Sequence, residues 1–298
     1  DDDRRTRPSP EQLIQTGDHD KLMQRIKEGL DVNTQNKRGH SILALAAQHG
    51  TPRLVQQLID AGANLESRSS NGRTPLMHAA KAKNTQIVQT LVDAGARVNA
   101  KDAIGNTALT WAAGFGEAKA VRMLLDAGAD VNVTSGPVGW TPLIWASAFG
   151  QPGSVEALIE AGDDPNAHGS LQGATPLIHA ARTGRVDNIR VLVKHDVDLE
   201  ATDRTGKTAL LMAAGTQGAT PETVKALIEA GADLGATDNR DLNALEIAKK
   251  RTDERRNEVI AIIKEAMGMS DDSEDADGGD EGSSEDSGSG SQGDESNS

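Results

Sequence analysis

The chain has 298 residues, a formal net charge of −14, no cysteine, no tyrosine and only three Trp and two Phe. Without cysteine there is no disulfide framework, thiolate metal site or cysteine nucleophile, and no apolar run reaches the roughly 18 residues of a membrane span. The acidity argues against nucleic-acid binding, which draws on Lys and Arg to displace counterions, and so few aromatics point to packing by small aliphatic side chains.

Residues 1–8 form a charged leader with no apolar content, expected to be disordered. If the start at Asp1 reflects removal of a signal peptide, the chain is expected in an exported or periplasmic compartment, and otherwise in the cytoplasm. The pattern changes at Ser9-Pro10-Glu11-Gln12, a capping-box helix start followed by Leu13, Ile14, a Gly17-Asp18 turn and Leu22, Ile26 and Leu30. Residues 9–38 read as a terminal cap.

A glycine then recurs at Gly39, Gly72, Gly105, Gly139, Gly173 and Gly206, with Asp241 in register, at steps of 33, 33, 34, 34, 33 and 35 residues. Each glycine leads into a helix start: Ser41-Ile42-Leu43, Thr74-Pro75-Leu76, Thr107-Ala108-Leu109, Thr141-Pro142-Leu143, Thr175-Pro176-Leu177 and Thr208-Ala209-Leu210. A Ser or Thr hydroxyl can cap orphan amides, and proline in the first helical position gives up no needed hydrogen bond. Small pairs such as Ala46-Ala47, Ala112-Ala113 and Ala146-Ser147 follow, allowing two helices to approach closely. A second apolar helix comes next, marked by Val88, Leu91 and Val92 or by Val121, Leu124 and Leu125. It ends on glycine at Gly62, Gly95, Gly128, Gly162 and Gly231, where a left-handed residue can stop a helix. Asp196 stands in that place once, and the 206–240 repeat carries an insertion around Thr216–Pro221. Leu242, Leu245, Ile247 and Ala248, then Val259, Ile262 and Ile263, make a closing cap over 241–268.

These residues resemble the ankyrin repeat, a turn plus two antiparallel helices every ~33 residues with a T-P-L signature. The resemblance covers about residues 9–268 and implies an all-α solenoid. Its repeats are expected at 39–71, 72–104, 105–138, 139–172, 173–205 and 206–240, between the caps 9–38 and 241–268. The histidine usual in that family directly after the leucine is absent, the residues there being Ala44, Met77, Thr110, Ile144, Ile178 and Leu211. The inter-repeat hydrogen bonds it supports in the family are therefore not assured here. Residues 269–298 are expected to be a disordered acidic tail, because they hold 11 Asp and Glu and no basic residue. Removing those 11 charges from the total of −14 leaves −3 for residues 1–269. The tail suits either passive solubility or an intramolecular competitor for a basic surface.

No enzymatic constellation emerges. Seven scattered histidines show no ligand spacing; His78 and His179 hold equivalent places but lie three repeats apart, too far to share a metal. Neither metal nor cofactor is expected, and the chain reads as a non-enzyme that is monomeric alone. The aromatics are more informative. Trp111 and Trp145 sit two positions after the motif leucine, where other repeats have His78 and His179, and Phe115 and Phe149 follow four residues later on the same helical face. Trp140 precedes the same helix as Trp145, so all the aromatics fall in two neighbouring repeats. In ankyrin proteins the first-helix face and turn tips line a concave groove that binds partners. The resemblance thus implies a protein or peptide partner held by Trp111, Phe115, Trp140, Trp145 and Phe149, with His78, His179 and the apolar tips Ile104, Val138 and Leu171. Basic shoulders flank this centre at Lys37, Arg38 and Arg73 and at Arg204, Lys207 and Arg240. The alternative is a specific inhibitor or protective regulator that masks one enzyme through a broad surface. The same ring positions also suit simple packing across the seam between repeats, and the shoulders suit ordinary solvated surface.

Overall fold

A computed structural model describes residues 7–169 and 172–269. Among these residues sixteen α-helices follow one another in pairs: α1 (Pro10–Gln15) and α2 (His19–Lys27), α3 (Ile42–His49) and α4 (Pro52–Asp60), α5 (Pro75–Lys81) and α6 (Thr85–Asp93), α7 (Ala108–Phe115) and α8 (Ala118–Asp126). They continue as α9 (Pro142–Phe149) and α10 (Pro152–Glu160), α11 (Pro176–Arg182) and α12 (Val186–Val193), α13 (Ala209–Gly215) and α14 (Pro221–Glu229), α15 (Ala244–Lys249) and α16 (Arg256–Ala266). The fold is an all-α ankyrin-type solenoid; among the described residues the only β features are the isolated bridges Gln35–Ser41 and Ser135–Trp140 at the turn tips. The expected tail and most of the leader lie outside the described residues.

The first helices begin as their caps dictate. The Ala44 amide donates to Ser41 Oγ at 3.1 Å, Ile144 to Thr141 Oγ1 at 3.3 Å, and Thr107 and Thr110 form a reciprocal box. Thr74 departs from this pattern, with no side-chain cap bond. Glycines at 62, 95, 128, 162 and 231 end the second helices at φ between 85° and 96°. Asp196 adopts the same left-handed conformation at φ 51°, despite its Cβ.

First helices pack on first helices from α1 through α15, and second helices on second helices from α2 through α16. Both layers share the core, the second helices giving side chains such as Leu54, Leu91 and Leu124, while the first helices pack closely through small ones: Ala46, Ala79, Ala80, Ala112, Ala113, Ala146, Ala180, Ala213 and Ala214 are all fully buried. Contact is close enough that a Cβ on Gly150 would collide with the Ala113 carbonyl of the preceding unit.

The insertion at 216–220 is held from the far side by Arg251, whose side chain is fully enclosed. Its guanidinium donates to the carbonyls of Thr216 at 2.8 Å, Ala213 at 3.2 Å and Ala219 at 3.3 Å, and pairs with Asp253 at 2.6 Å. It thereby satisfies the orphan carbonyls at the end of α13, where helix-dipole charge is negative. Asn188 does the same at the end of α9, donating to Ala146 and Ser147 carbonyls at 3.1 Å each.

Two consequences are measurable. Arg251→Met should cost about 3 kcal/mol by stranding those carbonyls and Asp253, read as a lower urea midpoint with faster amide exchange in α13 and α14. Asp196→Gly should instead raise stability by about 0.5 kcal/mol, since relief of the left-handed strain exceeds the added unfolded-state entropy; thermal unfolding of the exposed-site variant checks it.

Candidate binding surface

Trp111 and Trp145 are placed by the second turn of α7 and α9, and each indole reaches back to its own turn tip. Trp111 Nε1–H donates to Asp102 Oδ2 at 3.2 Å and Trp145 Nε1–H to Ser135 Oγ at 2.9 Å. These bonds strut the tip against the helix. The Asp102 carboxylate also collects the amides of Asn106 at 2.9 Å and Ile104 at 3.1 Å, closing the turn locally.

One turn further along, Phe115 and Phe149 project from the ends of α7 and α9. Their rings are nearly parallel, at 8° with centroids 6.1 Å apart. Phe115 also meets Trp111 at 5.6 Å and Trp145 at 6.0 Å. Trp145 approaches so closely that a Cβ on Gly114 would lie 3.3 Å from its Cε3. Trp140, in its tip bridge with Ser135, stands edge-on to Trp145 at 4.9 Å and to His179 at 4.5 Å. The result is one unbroken strip of rings spanning three units.

The strip is graded in depth. Phe115 and Phe149 remain 38% and 39% exposed, whereas Trp111 is only 8% exposed; Trp140 and Trp145 are half-buried. The sequence-based picture of all five rings pointing into the hollow therefore needs correcting for Trp111, whose indole is drawn inward by Asp102 and covered by Arg73, Cζ 3.9 Å above the ring. His78 and His179, expected at the surface, are also buried. Burial lowers both imidazoles to about 4; His40, Arg73, Lys81 and His49 add to this at His78, and Arg182 at His179. Arg182 Nη2 donates to His179 Nδ1 at 2.9 Å, and since a guanidinium cannot accept, the ring proton must sit on Nε2. Of the apolar tips, Ile104 is 57% exposed and Val138 half-buried, while Leu171 lies outside the described residues.

Sequence reasoning missed Asp163, which occupies the place where Gly62, Gly95, Gly128 and Gly231 are followed by alanine. Its carboxylate is buried beneath the start of α9 and accepts the Leu143 amide at 2.9 Å. Burial, outweighing this bond, pushes its carboxyl up to about 7. The signal was present in the register, as an acid in a position otherwise held by a small apolar side chain. Among the described residues no group of three or more His, Asp or Glu is arranged to hold a metal, and no helix is long and apolar enough to cross a membrane.

Because Asp163 holds its proton more tightly folded than unfolded, its contribution to stability is full below its unfolded value of 3.8 and is lost as pH rises through about 7. Asp163→Asn removes that titration. The variant should gain on the parent by up to about 1.4 kcal/mol per pH unit across the window, a difference vanishing near pH 4 in paired urea titrations.

The family model described as "Ankyrin repeats (3 copies)" matches residues 12–102, 101–169 and 149–238. No curated protein matches the sequence. Among solved structures, the crystal structure of the human ASB11 ankyrin repeat domain is similar, with a TM-score of 0.65 and 24% identity, over 75% of this chain and 96% of that one. At that identity the likeness concerns the fold. Together with the stacked helix pairs and their T-P-L starts, the match along most of its length makes this chain a member of the ankyrin-repeat family.

Proposed function

We propose that this protein is a non-enzymatic interaction module that binds a protein partner across its aromatic strip. Ankyrin repeats are generally protein–protein interaction modules, and their fold is typically a binding scaffold rather than an enzyme. The observation that carries the finer reading is the pair of parallel phenyl rings, Phe115 and Phe149, left open to solvent above a base of tryptophans. Trp111, Trp140 and Trp145 fix the pair through ring contacts and indole hydrogen bonds, so little side-chain freedom is lost when it is covered. Ile104 and Val138 extend the apolar surface along the tips, and His179 backs it against Trp140. The ligand fitting such a surface is an extended segment presenting apolar anchors.

The two phenylalanines, rather than the strutting tryptophans, are the residues that separate binding from stability. Peptides selected on the wild-type protein from a displayed random library should be rich in apolar anchors. They should bind Phe115→Ala and Phe149→Ala about 30-fold more weakly, the equivalent of about 2 kcal/mol per ring, while circular dichroism melts stay unchanged. Undiminished calorimetric affinity in both variants would remove the strip from the binding surface.

A further inference from the structure

Basic residues on one side of the strip gather around a single opening. Arg38, Arg73 and Lys81 converge with His40 and His78 on a cleft of about 380 Å³ between the second and third helix pairs, and no carboxylate is among the described residues lining it. Two buried nitrogens among the residues lining this cleft lack a hydrogen-bond partner among the described residues: His78 Nε2, on a side chain only 5% exposed, and Arg73 Nε.

Arg73 has a carboxylate nearby, yet Asp102 lies 3.8 Å from its Nε. That carboxylate is already taken by the Ile104 and Asn106 amides, the Asn106 side chain and the Trp111 indole. The contrast with Arg240 is instructive, since its guanidinium fork is filled by Asp238 at 2.9 and 3.2 Å. Arg73 instead lays its flat face over Trp111, which leaves the N–H edge of the guanidinium for another acceptor. Lys81 is likewise set by ring faces, 4.8 Å from Trp111 and 5.7 Å from Phe115. Glu11 acts on His40 from the first unit, but its carboxylate accepts from Asn36 Nδ2 at 2.9 Å. Three permanent cations facing one engaged carboxylate leave a deficit of about two negative charges.

We propose that this cleft is an oxyanion site matched to a doubly charged phosphate group, with Arg38, Arg73 and Lys81 meeting its oxygens and His78 donating from Nε2. Phosphate geometry suits an edge-on guanidinium and a point-like ammonium together. The burial and positive surroundings that lower the His78 imidazole agree with a site awaiting an anion. The assignment goes beyond the proposed peptide binding and does not depend on it, because Trp111 and Phe115 serve here only to set Arg73 and Lys81.

The test uses the full isotope-labelled chain at about pH 7 and constant ionic strength, titrated with inorganic phosphate or with acetate. The Arg73 Nε–H and His78 ring signals should shift saturably with phosphate, and acetate should bind at least about tenfold more weakly, as expected for half the charge. Arg38→Gln and Lys81→Gln, both exposed side chains, should each weaken phosphate at least about fivefold with unchanged melting, whereas Arg122→Gln on α8 and Phe149→Ala should not. A further arm uses acetyl-Gly-phosphoserine-Gly-amide. Tighter binding than inorganic phosphate names a peptide-borne group, and equal binding names the free ion; either supports the site. Shifts that never saturate, acetate matching phosphate, or a response unaltered in the Arg38→Gln/Lys81→Gln double variant would overturn the proposal. None of these results bears on whether Phe115 and Phe149 bind a peptide.

Discussion

Turn tips stand in file because, among the described residues, five of them donate a backbone hydrogen bond to the tip before: Ser70 to the Arg38 carbonyl at 3.1 Å, Ala103 to Asn71 at 3.1 Å, Gly136 to Ile104 at 2.7 Å, Arg204 to Gln172 at 3.0 Å and Asn239 to Thr205 at 3.0 Å. A second ladder runs past the ends of the second helices. There Asn33, Glu66, Asn99, Asn166 and Glu200 side chains each accept a backbone amide of the following unit at 2.8 Å. A helix pair of this size cannot bury its apolar face alone, so stability is a sum over such neighbour contacts and the stacked alanine layer between them. With the family's usual histidine absent, these two ladders carry polar registration from unit to unit.

That registration explains how the surface chemistry accumulates. Side chains three or four residues apart on a short first helix make only a pair of rings, but stacking two such helices brings four rings into contact, and the Trp140 tip adds a fifth. The same alignment gathers Arg38, from the tip before α3, with Arg73 and Lys81, from the tip and helix of the α5 unit, around one cleft. Trp111 joins the two regions. Its edge anchors the tip through Asp102, one face supports Arg73, and its ring borders Phe115. Apolar and cationic chemistry are thus coupled through a single buried indole.

Polar burial is handled differently at different places. Arg251 and Asn188 are fully engaged with helix-end carbonyls and act as fasteners. Asp163 is buried with its carboxyl pushed up to about 7, beneath the helix that carries Trp145 and Phe149. His78 and His179 remain neutral at physiological pH because burial and neighbouring guanidinium groups oppose protonation. Their stability contributions are full above the unfolded value of 6.5 and are lost as pH falls toward about 4, opposite in sign to that of Asp163.

The repeat spacing, the Thr-Pro-Leu starts and the glycine stops determined the ankyrin solenoid from the sequence by itself, because each is a local backbone preference repeated often enough to fix the architecture. The gathering of the aromatics into two units was equally legible, as a matter of position in the period. Depth was not: Trp111 and Phe115 share a helical face, yet only tertiary structure buries one and exposes the other, through an acceptor on the tip and a cation from the preceding unit. Nor could the sequence show that Arg73 and Lys81 meet His78 while Arg240 is neutralised by Asp238, since both arginines sit at tips in similar register. Which charges remain unmatched is decided by distances between units, and those are set when the stack closes.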